Sequence, residues 1–290
     1  MLGCYLDQKH DYAFRRIFGS QKRVHVLRQF LNGVLHLEDA NCIEQLRIAD
    51  RHNVPRLDGM KETVMDVRCV DHSGREFIVE MQVCDKRDFE HRSLYYVSQS
   101  YTEQLKKGEP YTMLRKVTLL AVLDFQFLRS PHYLSNHLIL DKETGEHRLK
   151  DFEFTFLELP KFTKKQQQLA TIEEKWSYFF KCAAQTPLHE IPKTLHEPEI
   201  EEAFRVLETI GHSETENRLY QKAEKDRRDR IAEIGKGYDK GYNKGLQEGH
   251  EKGAKKKAVE IARAMRAKGL DEEMIAQMTG LPPRELEALD

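Results

Sequence analysis

The sequence has no excess charge of either sign: 47 Lys and Arg stand against 48 Asp and Glu, a net charge of −1 over 290 residues. That balance excludes a uniformly basic nucleic-acid coat and an acidic tail protein, so any charged partner must be met by local patches. Long hydrophobic runs are also missing. The most apolar stretch, Val117 to Leu123, is interrupted by Thr118 and falls far short of the ~20 residues that span a bilayer. No membrane association is expected. Met1-Leu2-Gly3-Cys4-Tyr5 has no basic region followed by an apolar one, so no secretory leader is expected. The five cysteines, at 4, 42, 69, 84 and 182, are odd in number and form no Cys-x-x-Cys pair. Neither a disulfide framework nor a zinc ribbon follows from them, and reduced thiols in a cytoplasmic protein are the natural expectation. The 13 histidines lack His-Glu-x-x-His spacing and read as ordinary residues.

What is present suffices for a core: 39% hydrophobic and 9% aromatic residues. The length suggests about two domains, or one with appendages. A charged fraction of 33% and a mean hydropathy of −0.69 also imply much solvated helix. Tyr12, Phe14, Ile17 and Phe18, then Val24, Leu27, Leu31 and Leu35, recur at helical spacing and predict two amphipathic helices broken at Gly19. After Pro55 the period changes. Glu62 to Asp71 and Arg75 to Cys84 predict a hairpin around Asp71-His72-Ser73-Gly74. Phe89 to Lys107 predicts a helix closed by Gly108 and Pro110, and Val117 to Leu123 a strand buried on both faces. A second hairpin is expected from Leu138-Ile139-Leu140 and Phe152 to Leu159, then a helix through Leu169, Ile172, Trp176, Phe179 and Phe180.

Beyond Pro187 and Pro192 the composition turns helical and charged. From Lys222 to Lys257 there are 12 basic and 7 acidic residues, and glycines 237, 241, 245, 249 and 253 recur every fourth position. Such a stripe fits a helix packed closely on another backbone, or a mobile linker. Each glycine costs a helix roughly 1 kcal/mol against alanine, so the segment is expected to be helical only when a partner chain or DNA covers it, and mobile otherwise. Lys252, Lys255, Lys256 and Lys257 would then tether phosphate; a plain solvated linker is the other reading. Ala258 to Asp290, broken at Gly269 and Gly280, resembles a small helix-turn-helix, but its 4 basic and 7 acidic residues suit a self-packing or docking cap better than a phosphate grip. The expected division is therefore 1–185 for an α/β domain, 186–235 for a helical extension, 236–257 for the glycine-repeat linker or helix, and 258–290 for the terminal helical unit.

The chemically informative residues lie on the first hairpin. Asp66 sits in a run otherwise suited to a buried strand, and Glu80 and Gln82 interrupt the next one. Residues two apart on a strand share a face, so Glu80 and Gln82 point one way and Val79, Met81 and Val83 the other. Asp66 faces Glu80 only if residue 71 pairs with residue 75, which requires a three-residue loop; Asp71 first and Gly74 left-handed fit such a loop, so the sequence permits that register. Two carboxylates brought together call for a cation, and hard oxygen ligands suit Mg²⁺ or another oxygen-preferring divalent ion. An edge hairpin with its polar face in water fits the same residues.

The ordered set of motifs resembles the recombination-promoting nuclease / putative transposase family, a branch of the PD-(D/E)xK nucleases. Asp11-Tyr12-Ala13-Phe14-Arg15-Arg16-Ile17-Phe18-Gly19 is similar to that family's opening Asp-x-x-Phe-Lys-x-x-Phe-Gly. Phe30-Leu31-Asn32, the Asp66 strand and Ile78-Val79-Glu80-Met81-Gln82 follow, the last with one residue inserted relative to Ile-Glu-Met-Gln. Arg92, Tyr95, Tyr96, Ser98, Gln104-Leu105, Gly108, Tyr111, Val122, Asp124 and Phe125 complete the match, and the glycine-charge tail and terminal helical unit also look like this family.

The resemblance implies an α/β, restriction-endonuclease-like core, a mixed sheet flanked by helices, with a C-terminal helical extension. It implies a metal-dependent DNA endonuclease, associated with recombination or with mobile-element or foreign-DNA processing. Asp66 and Glu80 would hold Mg²⁺ or a similar cation, and Gln82 would take the third catalytic position, where lysine is common. Asp11 is either a helix cap or a further acid of the metal site. Arg92 either contacts a phosphate or pairs with Asp88, and Tyr95 and Tyr96 either pack on the sheet or stack on bases. A catalytically degenerate, DNA-associated or self-assembling protein is the alternative, motivated by Gln82 and the basic tail, and RNA is a third substrate reading. DNA is the expected partner, with a homodimer or higher homo-oligomer if both strands are cut.

Overall fold

The computed structural model describes residues 6–50, 52–53, 63–85, 88–186 and 190–288. Cys4, Pro55, Glu62, Pro187 and Asp290 lie outside the described residues. The chain divides into two compact units, Met1–Glu224 and Lys225–Asp290.

In the first unit, helices α1 (Asp11–Phe18) and α2 (Val24–Val34) bury their apolar stripes, with Phe14, Ile17, Phe18, Leu27, Phe30 and Leu31 fully enclosed. The chain then enters a six-stranded sheet of order β1-β4-β5-β6-β8-β7, built from β1 (Leu46–Ile48), β4 (Val67–Asp71), β5 (Glu76–Gln82), β6 (Val117–Leu123), β7 (Leu134–Ile139) and β8 (Leu149–Glu158). Strands β5, β6 and β8 are parallel neighbours, and the outer pairs are antiparallel. A separate pair, β2 (His52–Asn53) and β3 (Thr63–Val64), is antiparallel. Helix α3 (Phe89–Glu103) connects β5 to β6, while α4 (Ile172–Cys182) and α5 (Pro198–His212) follow β8. The mixed sheet flanked by helices is the architecture expected for a restriction-endonuclease-like core.

The sheet separates two apolar clusters, and the alternation of β5 and β6 assigns their residues. Phe77, Val79, Met81, Leu120 and Val122 pack with α1, α2 and α4, whereas Ile78, Leu119, Ala121 and Leu123 pack with Phe89 and Val97 of α3. Strand β6 is therefore buried along its whole length. On the first face Phe18, Phe30, Trp176 and Phe180 form an aromatic knot with centroids 5.0–6.4 Å apart, the offset and edge contacts that ring quadrupoles favour. Helix α5 adds Ile200, Phe204 and Leu207 to this core. The segment expected as an extension after residue 185 thus shares the core of the first compact unit.

The strand expected from Glu62 to Asp71 is interrupted. Thr63–Val64 pairs with β2, and β4 begins only at Val67. Helix α6 (Glu214–Ala267) runs through the glycine repeat without a break. In the second unit the end of α6 packs with α7 (Glu272–Thr279) and α8 (Pro283–Glu287) around Ala262, Ile275, Leu281 and Leu286. Asp271 caps α7 by accepting from Met274 N at 2.9 Å, and Gly280 closes it at φ 68°. The part of the expected terminal unit from Ala258 to the break at Gly269 is therefore the end of α6. Among the described residues no helix is long and apolar enough to cross a membrane.

Gly33 of α2 faces α4 so closely that an added Cβ would overlap Cγ2 of Ile172. Overpacking of this kind costs about 1–3 kcal/mol. Gly33→Ala is expected to lower stability by that amount in urea unfolding, and Gly33→Ala combined with Ile172→Ala should lose less than the sum of the two single changes.

Candidate functional site

The first hairpin has the register inferred from its loop. Val67 faces Val79, Arg68 faces Ile78 and Cys69 faces Phe77, and Asp71 N donates to Arg75 O at 3.0 Å. Gly74 takes φ 86°, a left-handed conformation that glycine adopts without a Cβ clash. Asp71 locks the loop: its Oδ1 accepts from Ser73 N, Ser73 Oγ and Arg75 N at 2.8–2.9 Å. Burial opposes ionisation of Asp71, but the Ser73 and Arg75 hydrogen bonds and the Arg75 charge outweigh it and hold its pKa below the ordinary value.

Continuing this register brings Asp66 opposite Glu80, and here side chains replace the ladder. Asp66 N donates to Glu80 Oε1 at 3.1 Å, and Met81 N donates to Asp66 Oδ2 at 2.9 Å. These exchanges account for the break in the expected strand at Met65 and Asp66. Gln82 Nε2 donates to Glu80 Oε2 at 3.0 Å, and Arg92 Nη2 of α3 donates to Gln82 Oε1 at 2.9 Å. Arg15 of α1 places Nη1 3.6 Å from Asp66 Oδ1. Three of the residues singled out in the sequence, Asp66, Glu80 and Gln82, are thus in direct contact.

Glu80 is 4% exposed. Burial first, then the Asp66 charge, pushes its pKa well above the ordinary carboxylate value, with a further contribution from Asp11; the Asp66 N–H and Arg92 act in the opposite direction. Asp11 thus reaches the site through its charge. It does not cap α1. The cap is His10, whose Nδ1 accepts from Tyr12 N at 3.2 Å, and Asp11 is the first helical residue, where its charge still suits the helix dipole. Tyr96 packs into the α3-side cluster, and burial, followed by the Glu80 charge, pushes its pKa up to about 12.

Arg15 and Arg92 are the site neighbours that the sequence leaves unassigned or open. The signal for Arg15 is its place inside the Asp-x-x-Phe-Lys-like motif. For Arg92 the sequence admits a phosphate or Asp88, and its side chain takes a third partner, Gln82. A cleft of about 310 Å³ opens beside Asp66, lined by Arg15, Gly19, Ile48, Asp50 and Arg68. A larger one of about 730 Å³, lined by Arg28, His36, Cys42 and Glu173 among others, contains neither carboxylate.

Among the described residues no group of three His, Cys, Asp or Glu side chains is arranged to hold a metal. The donor set at the hairpin is two carboxylates. It fits a hard divalent cation of the Mg²⁺ kind, which commonly takes one or two carboxylates and completes its shell with water and substrate phosphate. The raised pKa of Glu80 beside Asp66 is the electrostatic sign of that fit, since two acids in a buried site favour a cation between them.

The model of the family described as PD-(D/E)XK nuclease family transposase matches residues 8–237. The chain belongs to this family. Residues 255–290 match a second model, the C-terminal HTH domain of the Rpn/YhgA-like nuclease family. That match takes in Lys255, Lys256 and Lys257, so the matched segment has seven basic and seven acidic residues in place of the acidic excess counted from Ala258. No curated protein and no solved structure matches the chain. The description of this PD-(D/E)XK nuclease family writes an acid and a lysine one residue apart; in this chain Met81 separates Glu80 from Gln82.

The pH dependence of stability follows from Glu80. Its folded pKa lies above the ordinary 4.5, so the folded state binds this proton more tightly and stability falls as pH rises through the folded value. In EDTA, Glu80→Gln is expected to be more stable than the unaltered protein at pH 8, with the difference shrinking toward pH 4.5. Urea midpoints across that range measure it.

Proposed function

We propose that the protein is a metal-dependent DNA endonuclease that hydrolyses phosphodiester bonds, acting in recombination or in the processing of mobile or foreign DNA. The observation that carries this reading is the meeting of Asp66 and Glu80 across a hairpin whose register is fixed by Asp71 and Gly74. Asp66 and Glu80 would hold Mg²⁺ or another oxygen-preferring divalent ion. When bound, such an ion supplies a water of lowered pKa and offsets charge at the phosphate.

The protein's own part is positional and electrostatic. Asp66 and Glu80 each accept a backbone N–H from the opposing segment, Met81 N and Asp66 N respectively, so their oxygens need little reorganisation when a phosphodiester arrives. Gln82 holds Glu80 by its amide, and Asp11 adds negative charge to the same site. Arg15, about one-third exposed beside the cleft, is placed to meet the phosphate backbone. DNA is further gripped by the helix-turn-helix unit and by the basic stretch of α6. Cleavage of both strands calls for two such sites, hence a homodimer or higher homo-oligomer.

The second reading, a DNA-associated protein without catalysis, is favoured by Gln82, which brings no charge where lysine would. Plasmid nicking in Mg²⁺ separates the two. Asp66→Ala and Glu80→Ala are each expected to slow nicking by at least about a hundredfold, because several kcal/mol of charge stabilisation is lost at ~1.36 kcal/mol per tenfold. Nicking that persists undiminished in both variants removes the assignment, and DNA binding that is equal in Mg²⁺ and EDTA without any cutting favours the second reading.

The tail contributes through counterion release. Of the four lysines expected to tether phosphate, Lys255 pairs with Glu285 at 2.6 Å, so the tether is expected to rest on Lys252, Lys256 and Lys257, all exposed. Changing those three to Gln is expected to flatten the slope of log affinity against log salt by roughly one for each phosphate that is no longer neutralised. An unchanged slope leaves this stretch as a solvated part of the helix.

A further inference from the structure

The Gln82 amide lies between two groups of opposite hydrogen-bonding character. Arg92 offers only donors, and an ionised Glu80 offers only acceptors. One orientation alone satisfies both, with Oε1 toward Arg92 and Nε2 toward Glu80, and it is the one observed, at 2.9 and 3.0 Å. Reversing the amide would set donor against donor and acceptor against acceptor. Arg92 is itself held in place: its guanidinium lies 5.3 Å from the centroid of the Phe89 ring, a favourable cation–π arrangement. Its Nε is buried and has no hydrogen-bond partner among the described residues. An arginine kept with one nitrogen unsatisfied needs a compensating interaction, and the contact with Gln82 Oε1 is the polar one that the structure gives its side chain.

Resting on the nuclease reading above, we infer that Arg92 is a positioning residue of the metal site: by holding Gln82 Oε1 it fixes the amide so that Nε2 clamps Glu80, and from α3 it supplies the positive charge that a strand lysine supplies in the PD-(D/E)XK form. The function of the third motif residue is thereby divided between two side chains. Gln82 provides the geometry and Arg92 the charge.

A double-mutant cycle tests this, using full-length protein and two readouts, Mn²⁺ binding by calorimetry and plasmid nicking. Melting temperatures of each variant establish that it is folded. Arg92→Gln is expected to weaken Mn²⁺ binding and slow nicking by about ten- to a hundredfold, the usual effect of removing an outer-shell partner. In a Gln82→Lys background, where the strand carries its own charge, Arg92→Gln is expected to change Mn²⁺ affinity by less than about twofold; this non-additivity is what coupled residues show. A purely structural arginine gives the same loss in both backgrounds, and that result overturns the inference, as does an Arg92→Gln protein that binds Mn²⁺ like the unaltered chain. The unaltered chain separates the two levels of the proposal. If it binds Mn²⁺ and nicks while Arg92→Gln does the same, only the role of Arg92 fails. If it neither binds nor nicks, the nuclease reading fails and this inference fails with it.

Discussion

Glu80 is a carboxylate removed from water, placed across one hairpin from a second carboxylate, and most of what surrounds it answers that electrostatic problem. The ladder hydrogen bonds at the mouth of the hairpin are given up so that Asp66 N can reach Glu80 and Met81 N can reach Asp66. Gln82 covers the other Glu80 oxygen, and arginines approach from both helical sides, Arg15 toward Asp66 and Arg92 toward Gln82. The repulsion is reduced without being removed, and Glu80 keeps its raised affinity for a proton. A site poised in this way is less stable without a cation than an apolar hairpin end would be, which is how functional sites commonly depart from the stability optimum.

The sheet makes such a site tolerable by separating it from the packing. On one face the aromatic knot of Phe18, Phe30, Trp176 and Phe180 joins α1, α2 and α4, and on the other α3 lies over Ile78 and Leu119. Strand β5 belongs to both cores, so Glu80 is fixed by neighbours on either side of it along the strand. Asp71, at the far end of the hairpin, fixes the register by local hydrogen bonds alone. A slip of one residue there would turn Asp66 to the opposite face.

Features that depend on neighbouring residues in sequence were legible. The loop Asp71-His72-Ser73-Gly74 carried the signals of its own geometry, and that geometry permitted the meeting of Asp66 and Glu80. The apolar run of β6 announced a strand covered on both faces, and the stripes of α1 and α2 announced their helices. What escaped depends on tertiary approach. Arg92 meets Gln82 because α3 packs on the sheet face that carries Ile78 and Leu119, and no spacing between positions 82 and 92 encodes that packing. The interruption at Asp66 escaped because β-branched residues on either side favour a continuous strand, whereas the carboxylates compete for its N–H groups. His10 is concealed as a cap because Asp11 beside it is the commoner choice. Ile200, Phe204 and Leu207 have helical spacing, but a charged composition concealed that α5 shares the central core.

The four-residue repeat of α6 is out of step with the helix that carries it. Four residues advance an α-helix by about 400°, so each successive glycine lies ~40° further round the axis and ~6 Å further along it. From Gly237 to Gly253 the stripe therefore winds through roughly 160° as a right-handed spiral. A straight partner helix would meet only two or three of these glycines, whereas a partner that itself winds about α6 could follow them all. The repeat is also a unit of phase: gaining or losing one tetrad would lengthen or shorten the glycine spiral by ~40° of turn and ~6 Å of length, and with it the stretch of α6 that such a partner could follow.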